Sequence, residues 1–358
     1  MINLTVKTNS MFELSSGAWK IVEHPANSAR ELQLTLDNEL IDFEGASVAT
    51  LEIRPIEFHQ GEIWILFNNT RSALRFYRPS SNSNTILVTE QCDQNCIMCS
   101  QPPKNKDYLY FDLYSKAVEL IDHEAIIGIS GGEPSLFKAL LFNFLISCSI
   151  SSPKIKFHVL TNGQHFSEDD LPSLKLLSET VLWAIPIYSD SPTQHDEIVG
   201  KAGAFKTLIN NLSFFALSSS DVEIRTVVLQ QNIYHLPRLA LFLCKCLPWI
   251  SHWSIMQLEK YGYARLDWEN KFYDTSTDFQ LIGTALDICR STEQIKPSLL
   301  NFPICTVPEA YRDLAKRSIS DWKQKYEPEC SECVQKSFCC GFFEWYDPKC
   351  GFKRIGYL

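Results

Sequence analysis

Residues 92–99 read CDQNCIMC, so Cys92, Cys96 and Cys99 share one short segment with the spacing Cys-x3-Cys-x2-Cys. Soft thiolate ligands select iron–sulfur clusters or zinc, and such sites are usually closed by four ligands. Three cysteines in one loop therefore predict a cluster in which one iron stays open to a further ligand. The same triplet also fits part of a zinc site or three unrelated buried thiols.

A second motif follows a predicted buried strand. The apolar run Ala125–Ile129 leads into the turn Ser130-Gly131-Gly132-Glu133-Pro134. Glycines at such a turn expose backbone N–H and C=O groups to a small molecule, and Glu133 is a candidate acceptor for an ammonium group. A glycine pair after a strand is also common as a plain tight turn.

The two motifs together resemble the radical S-adenosylmethionine (radical SAM) superfamily. The resemblance implies that Cys92, Cys96 and Cys99 hold a [4Fe-4S] cluster whose fourth iron binds the amino and carboxylate groups of SAM. It also implies that the turn formed by Gly131, Gly132, Glu133 and Pro134 binds the SAM amino group. One-electron cleavage of SAM would then give methionine and a 5'-deoxyadenosyl radical, which abstracts a hydrogen atom from the substrate. Many members carry an aromatic residue before the last cysteine, where this chain has Met98.

After residue 83 the sequence alternates apolar strands with helices, the pattern of parallel β/α units that bind ligands at the carboxyl ends of their strands. The predicted strands are Thr85–Val88, Ala125–Ile129, Ile155–Leu160, Val181–Ile187, Val222–Leu229 and Trp253–Leu258. Six such units resemble the partial barrel of radical SAM enzymes. The predicted fold class is therefore α/β, with a partial (β/α)6 radical SAM barrel at residues 84–290. A small β-rich N-terminal domain at residues 1–83 precedes it, and a loop-rich C-terminal domain at residues 291–358 follows.

Polar residues lie on or after three of these strands. Asn162 follows the third predicted strand, Ser189 and Asp190 follow the fourth, and Arg225 lies on the fifth. Asn162 can serve an ordinary turn or contact SAM, while Ser189 and Asp190 suit the ribose hydroxyls. A guanidinium on a buried strand needs an anion, which is either the SAM carboxylate or a protein acid such as Glu223. We therefore expect these four side chains to contribute to SAM binding.

A second cysteine group lies in the tail, as Cys330-x2-Cys333-x5-Cys339 with Cys305 upstream. Four thiolates close a metal site, and ligand count alone does not distinguish zinc from an iron–sulfur cluster. The resemblance favours iron, because the spacing is similar to the SPASM and twitch extensions of radical SAM peptide maturases, which hold auxiliary [4Fe-4S] clusters. Since Phe343 stands where the fuller SPASM pattern has a cysteine, residues 291–358 resemble a twitch domain with one auxiliary cluster.

The other cysteines are assigned more simply. Cys340 adjoins Cys339 and is an alternative ligand, and Cys350 is either a distant ligand or a free thiol. Four more lie on apolar helical segments and are predicted to pack in the core: Cys148, Cys244, Cys246 and Cys289. The odd total of 13 cysteines argues against a disulfide scaffold and for a reducing compartment.

Composition indicates a cytoplasmic enzyme of two or three domains, since 358 residues with 45% hydrophobic content exceed a single core. A formal net charge of −9 disfavours non-specific attraction to nucleic acid or to an anionic membrane. The longest uncharged apolar stretch, Ala139–Ile150, is short for a membrane span and predicts a core helix. No secretion signal opens the sequence. We expect neither membrane association nor a nucleic-acid partner.

Longer stretches narrow the resemblance. Thr89–Pro103, Ile185–Asp190 and Ser318–Lys323 are similar to the C-type radical SAM maturase of the His-Xaa-Ser system, as is the pair His195-Asp196. That resemblance implies a peptide or protein substrate, a second radical SAM protein as partner, and an electron donor such as flavodoxin or ferredoxin. His195-Asp196 itself is predicted to be a helix-start cap with a satisfied histidine.

The predicted function is reductive cleavage of SAM followed by hydrogen abstraction from a peptide. Two alternatives stay open: radical modification of a nucleotide or RNA, and a non-catalytic iron–sulfur protein that presents peptide to a second maturase. Residues 1–83 indicate no chemistry, although Leu32–Leu36 and Ile63–Phe67 predict strands, with turns at Gly45 and Gly61. This domain either covers the open barrel or binds a leader peptide at a sheet edge.

Overall fold

The computed structural model describes residues 3–5, 17–22, 31–37, 40–44, 49–51, 60–67 and 72–356. The chain divides into two compact units. The first comprises Met1–Thr89, Asp107–Ser130 and Phe137–His158, and the second comprises Glu90–Lys106, Gly131–Leu136 and Val159–Leu358. The domain boundaries at residues 83 and 290 stay a prediction.

The N-terminal part of the first unit is a seven-stranded sheet with the order β1-β7-β6-β2-β3-β4-β5. Its strands are β1 (Asn3–Thr5), β2 (Gly17–Val22), β3 (Glu31–Asp37), β4 (Leu40–Glu44), β5 (Ala49–Leu51), β6 (Ile63–Leu66) and β7 (Ser72–Tyr77). Among the described strands of this sheet, the β2–β3 pairing is parallel and the others are antiparallel. The two predicted strands and the turn at Gly61, where φ is +85°, are confirmed. The predicted turn at Gly45 lies outside the described residues.

The rest of the first unit contains β8 (Thr85–Leu87), α1 (Phe111–Val118), β9 (Ala125–Ser130), α2 (Lys138–Ser151) and the first residues of the next strand, up to His158. Strands β8 and β9 pair in parallel. Aromatic side chains join the two helices, since the rings of Phe111 and Phe144 are 5.5 Å apart. The helix predicted over Ala139–Ile150 is confirmed as α2, and Phe144 and Leu145 on it are buried.

Helix α2 also raises the question of a membrane span. Of the described helices, one stretch, Pro134–Ser151, is long and apolar enough to cross a membrane by length and composition. The core helix of a soluble protein passes the same test.

From Ile155 onward the chain continues the β/α alternation. Its helices are α3 (Leu171–Leu176), α4 (Pro192–Val199), α5 (Ala204–Leu217), α6 (Leu236–Cys246), α7 (Trp268–Lys271) and α8 (Gln280–Thr292). Its strands are β10 (Ile155–Leu160), β11 (Val181–Pro186), β12 (Asp221–Val227), β13 (His252–Met256), β14 (Lys296–Leu300), β15 (Ala315–Lys316), β16 (Gln324–Lys325) and β17 (Phe342–Phe343). The last two form an antiparallel pair in the tail.

Strands β8 to β15 form one eight-stranded sheet in the order β15-β14-β13-β12-β11-β10-β9-β8. The β8–β9 pairing and the pairings from β11 to β15 are parallel. All six predicted strands are confirmed, and the fold class is the predicted α/β partial barrel. Two further strands, β14 and β15, extend the sheet beyond the prediction. Strand order follows chain order, so consecutive carboxyl ends line one edge, where ligands bind in such folds.

The second unit is held by a buried aromatic core beneath its strands. Trp183 of β11 and Trp253 of β13 are fully buried. The ring of Trp183 lies 5.5 Å from that of Phe166 and 5.6 Å from that of Phe215, both in edge-on contact. Such contacts fix the strands, and with them the residues that follow each carboxyl end.

Candidate functional site

The cysteine segment 92–99 is held in place through its backbone. The Asn95 N–H donates to the carbonyl of Val199 at the end of α4, at 2.9 Å. The carbonyl of Cys99 accepts from the N–H of Tyr263, also at 2.9 Å. These hydrogen bonds join main-chain atoms. They therefore position the segment without using the cysteine thiols.

The Gly-Gly-Glu-Pro turn lies directly against this segment. The Glu133 N–H donates to the carbonyl of Gln91 at 2.7 Å. A Cβ on Gly132 would overlap that carbonyl oxygen and lie 2.5 Å from its carbon. Only glycine fits at position 132. Because it has no side chain, Gly132 leaves the backbone of the turn accessible and also lets the turn lie against the carbonyl of Gln91.

Two further glycines pack against the cysteine segment. A Cβ on Gly200 would lie 2.6 Å from the Asn95 carbonyl oxygen, and a Cβ on Gly262 would overlap the carbonyl oxygen of Cys99. Both glycines have positive φ, +67° and +55°. The sequence analysis did not identify this pair, although an isolated glycine after a helix and one after a strand are recognisable signals.

The three thiols of this loop are partly buried. Burial raises the pKa of Cys92 and of Cys96 to about 12, and burial also raises the pKa of Cys99. Since a thiolate is the metal-binding form, loading a metal here would release protons. Three soft donors on one loop held by backbone hydrogen bonds fit the predicted open cluster, and their role as ligands stays a prediction.

Tyr188 is a neighbour of this loop that the sequence analysis did not single out. It belongs to an apolar cluster with Met98, and Cys96 packs against that cluster. Burial raises the pKa of Tyr188 well above its ordinary value, and Cys96 and Cys99 raise it further. Its position directly before Ser189, after the carboxyl end of strand β11, could have identified Tyr188 as a residue near the site.

Glu133 is buried, and the chain's own donors engage both carboxylate oxygens. Oε1 accepts from the Ser135 N–H at 2.9 Å and from the hydroxyls of Ser135 and Thr161, each at 2.6 Å. Oε2 accepts from the Asn162 N–H at 2.5 Å. Burial raises the pKa of Glu133 despite these bonds. The carboxylate thus ties the turn after β9 to the turn after β10, while binding of an ammonium group by Glu133 stays a prediction.

Asn162 connects that turn to the residue after the first cysteine. Its side-chain amide donates to Asp93 Oδ1 at 2.8 Å, and Asp93 Oδ2 also contacts Lys201 and, at 3.2 Å, His165. Burial alone would raise the pKa of Asp93, but hydrogen bonds from His165, Lys201 and Asn162 hold it below its ordinary value. Asp93 is therefore an anchor for the cysteine loop, which the sequence analysis missed.

Ser189 and Asp190 lie after β11 as predicted, but protein partners engage both. The Ser189 hydroxyl is 3.3 Å from Nδ1 of His235, and Asp190 Oδ1 is 3.1 Å from the same nitrogen. Arg238 pairs with Asp190 Oδ2 at 2.8 Å. Contacts of Ser189 and Asp190 with ribose stay a prediction.

Arg225 has no carboxylate partner within the described part of the chain. Its Nε and Nη2 lie 3.3 and 3.2 Å from the sulfur of Met256 on the adjacent strand, and the ion pair with Glu223, considered above as an alternative, is not formed. A partly buried guanidinium that contacts only a weak acceptor is suited to an anion. The assignment to the SAM carboxylate stays a prediction.

The four predicted tail cysteines line one cavity, together with Tyr326 and Phe342: Cys305, Cys330, Cys333 and Cys339. Burial raises the pKa of Cys305 to about 12. At Cys339 a hydrogen bond from Cys340 and N–H groups of Ile304 and Gly341 outweigh burial and lower the pKa to about 6. Among the described residues, no group of three His, Cys, Asp or Glu side chains is arranged to hold a single metal ion. The four thiols instead surround a cavity, and an auxiliary cluster there stays a prediction.

The two alternative ligands do not line this cavity. Cys340 is buried in an apolar cluster with Ile319 and Phe343, and its thiol donates a hydrogen bond to Cys339. The sulfur of Cys350 accepts from Nζ of Lys260 at 3.2 Å.

Three of the four cysteines predicted to pack in the core are buried, namely Cys148, Cys244 and Cys289. The prediction was wrong for Cys246, which is exposed because it lies on the outer face of the last turn of α6. The structural interpretation of His195 is confirmed, since its ring is buried and Nδ1 accepts the Tyr188 N–H at 3.4 Å. Asp196 accepts from the N–H groups of Gly203 and Phe205, so it caps the start of α5 and not of α4.

The family model described as the radical SAM superfamily matches residues 86–243. These residues therefore form a radical SAM domain. No curated protein matches the chain.

Solved structures provide a second comparison. SuiB from Streptococcus suis is 19% identical, with 70% of this chain and 55% of that chain covered and a TM-score of 0.50. The native anSMEcpe with bound AdoMet and Cp18Cys peptide is 13% identical, with 60% of this chain and 62% of that chain covered and a TM-score of 0.48. The chain thus spans about half the length of SuiB, and the likeness concerns the fold alone.

Proposed function

We propose that this chain is a radical SAM enzyme that abstracts a hydrogen atom from a peptide or protein, as a step in ribosomal-peptide maturation. The observation that carries the proposal is the contact between its two motifs. Gly132 lies against the Gln91 carbonyl, and Glu133 donates its N–H to the same oxygen. The fold therefore places a half-buried glycine turn against the segment that carries the three thiols proposed as ligands.

Separate groups of residues would bind the cluster and SAM. Cys92, Cys96 and Cys99 would hold a [4Fe-4S] cluster, which when bound supplies the electron that cleaves SAM to methionine and a 5'-deoxyadenosyl radical. The backbone of Gly131–Pro134 would bind the SAM amino group. Arg225 would hold the carboxylate, because no protein acid within residues 72–356 neutralises it.

The chain's own hydrogen bonds keep this site in one geometry. Glu133 joins the turns after β9 and β10, and Asn162 joins the second turn to Asp93 beside Cys92. Rigid placement of reacting groups is a large source of rate enhancement. Tyr188 belongs to the apolar cluster against which Cys96 packs, and its ring would help to exclude water from the loop.

In the tail, Cys305, Cys330, Cys333 and Cys339 would hold one auxiliary [4Fe-4S] cluster in their common cavity. Two N–H groups point at the Cys339 sulfur, those of Ile304 and Gly341 at 3.4 and 3.3 Å. Hydrogen bonds to cluster sulfurs are a usual means of tuning such sites.

A peptide substrate is supported by the tail spacing and by the kind of fold. SuiB has also been solved with its precursor peptide SuiA, and anSMEcpe with the peptide Cp18Cys. For this chain a peptide substrate, a second radical SAM protein and a flavodoxin or ferredoxin donor are proposals.

The test is an anaerobic assay of the reconstituted full chain with reductant, SAM and the peptide encoded next to it, alone and with a neighbouring radical SAM protein. We expect 5'-deoxyadenosine and a changed peptide mass, both lost in Cys96→Ala and both retained in the exposed-cysteine control Cys246→Ala. Product formed equally well by Cys96→Ala would mean that this chain only assists. 5'-Deoxyadenosine stimulated by RNA but not by peptide would reverse the substrate assignment.

A further inference from the structure

A group of basic residues lies beside the tail cysteine cavity. Arg312, Lys316 and Arg317 line a second cavity together with Gln335 and Phe338. We call these five residues the basic cleft. The sequence analysis did not identify it, because a segment of six residues with three cations and Asp313 does not stand out in a chain whose formal net charge is −9.

The positive charge of the basic cleft is not cancelled locally by the acid that lines it. Asp313 is that acid, and Arg290 already holds both of its carboxylate oxygens, at 2.8 and 3.1 Å. Arg312 and Arg317 use single N–H groups on the carbonyls of Val307 and Ser337. These bonds orient the guanidinium groups without neutralising them, so the cleft presents net positive charge to solvent.

The basic cleft and the cysteine cavity share walls. Ile304 and Gln335 line both cavities. The Ile304 N–H donates to the Cys339 sulfur at 3.4 Å, and Arg317 donates to the carbonyl of Ser337, two residues before Cys339, at 3.2 Å. A molecule seated in the cleft would therefore lie within a residue's thickness of the four thiols.

Exposed apolar side chains accompany this charge. Phe338 is 68% exposed, and Val334, four residues before it, is 76% exposed. A small anion such as phosphate would bind the cations of the cleft but would gain nothing from contact with these apolar side chains. Apolar side chains with a basic surround suit a small, weak protein interface of the kind that electron-transfer partners use, in which complementary charge steers the encounter.

We propose that the basic cleft docks an acidic one-electron carrier protein, which delivers an electron to the auxiliary cluster. In the transfer the carrier is oxidised by one electron and the auxiliary cluster is reduced by one, with no bond formed or broken and no proton required. The inference rests on the proposed function, because it needs a cluster bound by Cys305, Cys330, Cys333 and Cys339.

The experiment uses the full chain with Cys96→Ala, so that the auxiliary cluster is the electron acceptor, and a reduced plant-type [2Fe-2S] ferredoxin as probe. Stopped-flow absorbance follows ferredoxin oxidation at low ionic strength, and ferredoxin NMR line broadening follows binding. The test variant carries Arg312→Gln, Lys316→Gln and Arg317→Gln. The charge-matched control carries Lys175→Gln, Lys206→Gln and Lys245→Gln, three exposed lysines on helices α3, α5 and α6.

We expect the cleft variant to lower the second-order rate constant by about tenfold, and the control by less than about twofold. Added salt should slow the parent protein and hardly affect the cleft variant. Lys316→Glu alone, at an exposed position, should change the rate in the same direction if the triple variant folds poorly. Equal rates for cleft and control variants, or a rate that salt does not change, would overturn the docking proposal.

Dithionite separates this failure from failure of the proposed function. It is a small reductant that needs no docking site, so it should produce the reduced-cluster EPR signal in the parent, cleft and control proteins alike. If dithionite produces no signal in any of them, the docking proposal falls together with the proposed auxiliary cluster, while SAM cleavage at Cys92, Cys96 and Cys99 is tested separately by the 5'-deoxyadenosine assay.

Discussion

At the residue scale, the geometry of the site depends on Gly132, because any side chain at this position would prevent the contact between the two motifs. Gly132 brings the turn after β9 into contact with the carbonyl of Gln91, one residue before the first cysteine. The two motifs are separated by more than 30 residues in sequence. Their physical connection could not be predicted from either motif, since it depends on packing that only the folded chain shows.

Gly132→Ala should therefore damage the site through overpacking. The new methyl group would overlap the Gln91 carbonyl, and we expect a loss of stability of about 1–3 kcal/mol, with fewer irons bound per chain. Thermal unfolding and iron analysis measure the two effects. The control is Gly356→Ala, because a Cβ there meets nothing within 4 Å. Normal iron content in Gly132→Ala would contradict the close approach.

Arg225→Met should weaken SAM binding without unfolding the protein. The substitution removes the charge but keeps an apolar stem beside Met256. Loss of a charged hydrogen bond of about 1.5–3 kcal/mol corresponds to roughly a 10- to 150-fold rise in the dissociation constant for SAM. Equilibrium dialysis with the reconstituted protein measures it, with Arg290→Met as the control. An unchanged dissociation constant would remove Arg225 from the SAM site.

The neighbouring thiols Cys339 and Cys340 should respond differently. Cys339 lines the tail cavity, while Cys340 packs with Ile319 and Phe343. We expect Cys339→Ala to lose about four irons per chain, as one cluster requires, and Cys340→Ala to retain them. Iron, zinc and sulfide analyses decide between cluster and zinc. Iron loss in Cys340→Ala alone would exchange the assignments of the two residues.

At the element scale, the strands with a regular apolar pattern could be predicted, and the ones without it could not. Ile155–Leu160 was predicted to the residue, because buried apolar residues alternate along it with Lys156 and His158, as strand geometry requires. Strand β14 begins with Lys296-Pro297-Ser298, a polar start that contains a proline, and β15 has two residues. Both are strands because the sheet offers a hydrogen-bonding edge to them, which no local sequence signal records.

His195 on helix α4 should make the stability of the protein depend on pH. Burial lowers the pKa of His195 from 6.5 to about 4. Because the folded-state pKa is the lower one, stability is fully present above pH 6.5 and is lost as the pH falls toward 4. The linkage amounts to about 3 kcal/mol. The variant His195→Gln can still accept the Tyr188 N–H but does not titrate in this range. Between pH 6.5 and pH 4, the unfolding free energy of the metal-free variant should therefore fall by about 3 kcal/mol less than that of the parent protein. An identical fall in both proteins would contradict a buried neutral histidine.

At the scale of the whole molecule, the second unit by itself contains both cysteine groups. One apolar cluster includes Met98 and Phe342 as members, and Cys96, Cys305 and Cys330 pack against it. Phe342 also lines the tail cavity. The individual cysteine groups were predictable from their spacing, but their sharing of one core was not, because that contact joins residues more than 200 positions apart.

The central claim is that the loop at residues 92–99 holds a cluster with one iron open to SAM. The most direct measurement is EPR of the reduced, anaerobically reconstituted chain before and after addition of SAM, with Cys96→Ala and Cys246→Ala in parallel. We predict a SAM-dependent change in the spectrum of the full chain and of Cys246→Ala, absent in Cys96→Ala. A spectrum that SAM leaves unchanged in a chain with full iron and sulfide content would contradict the account.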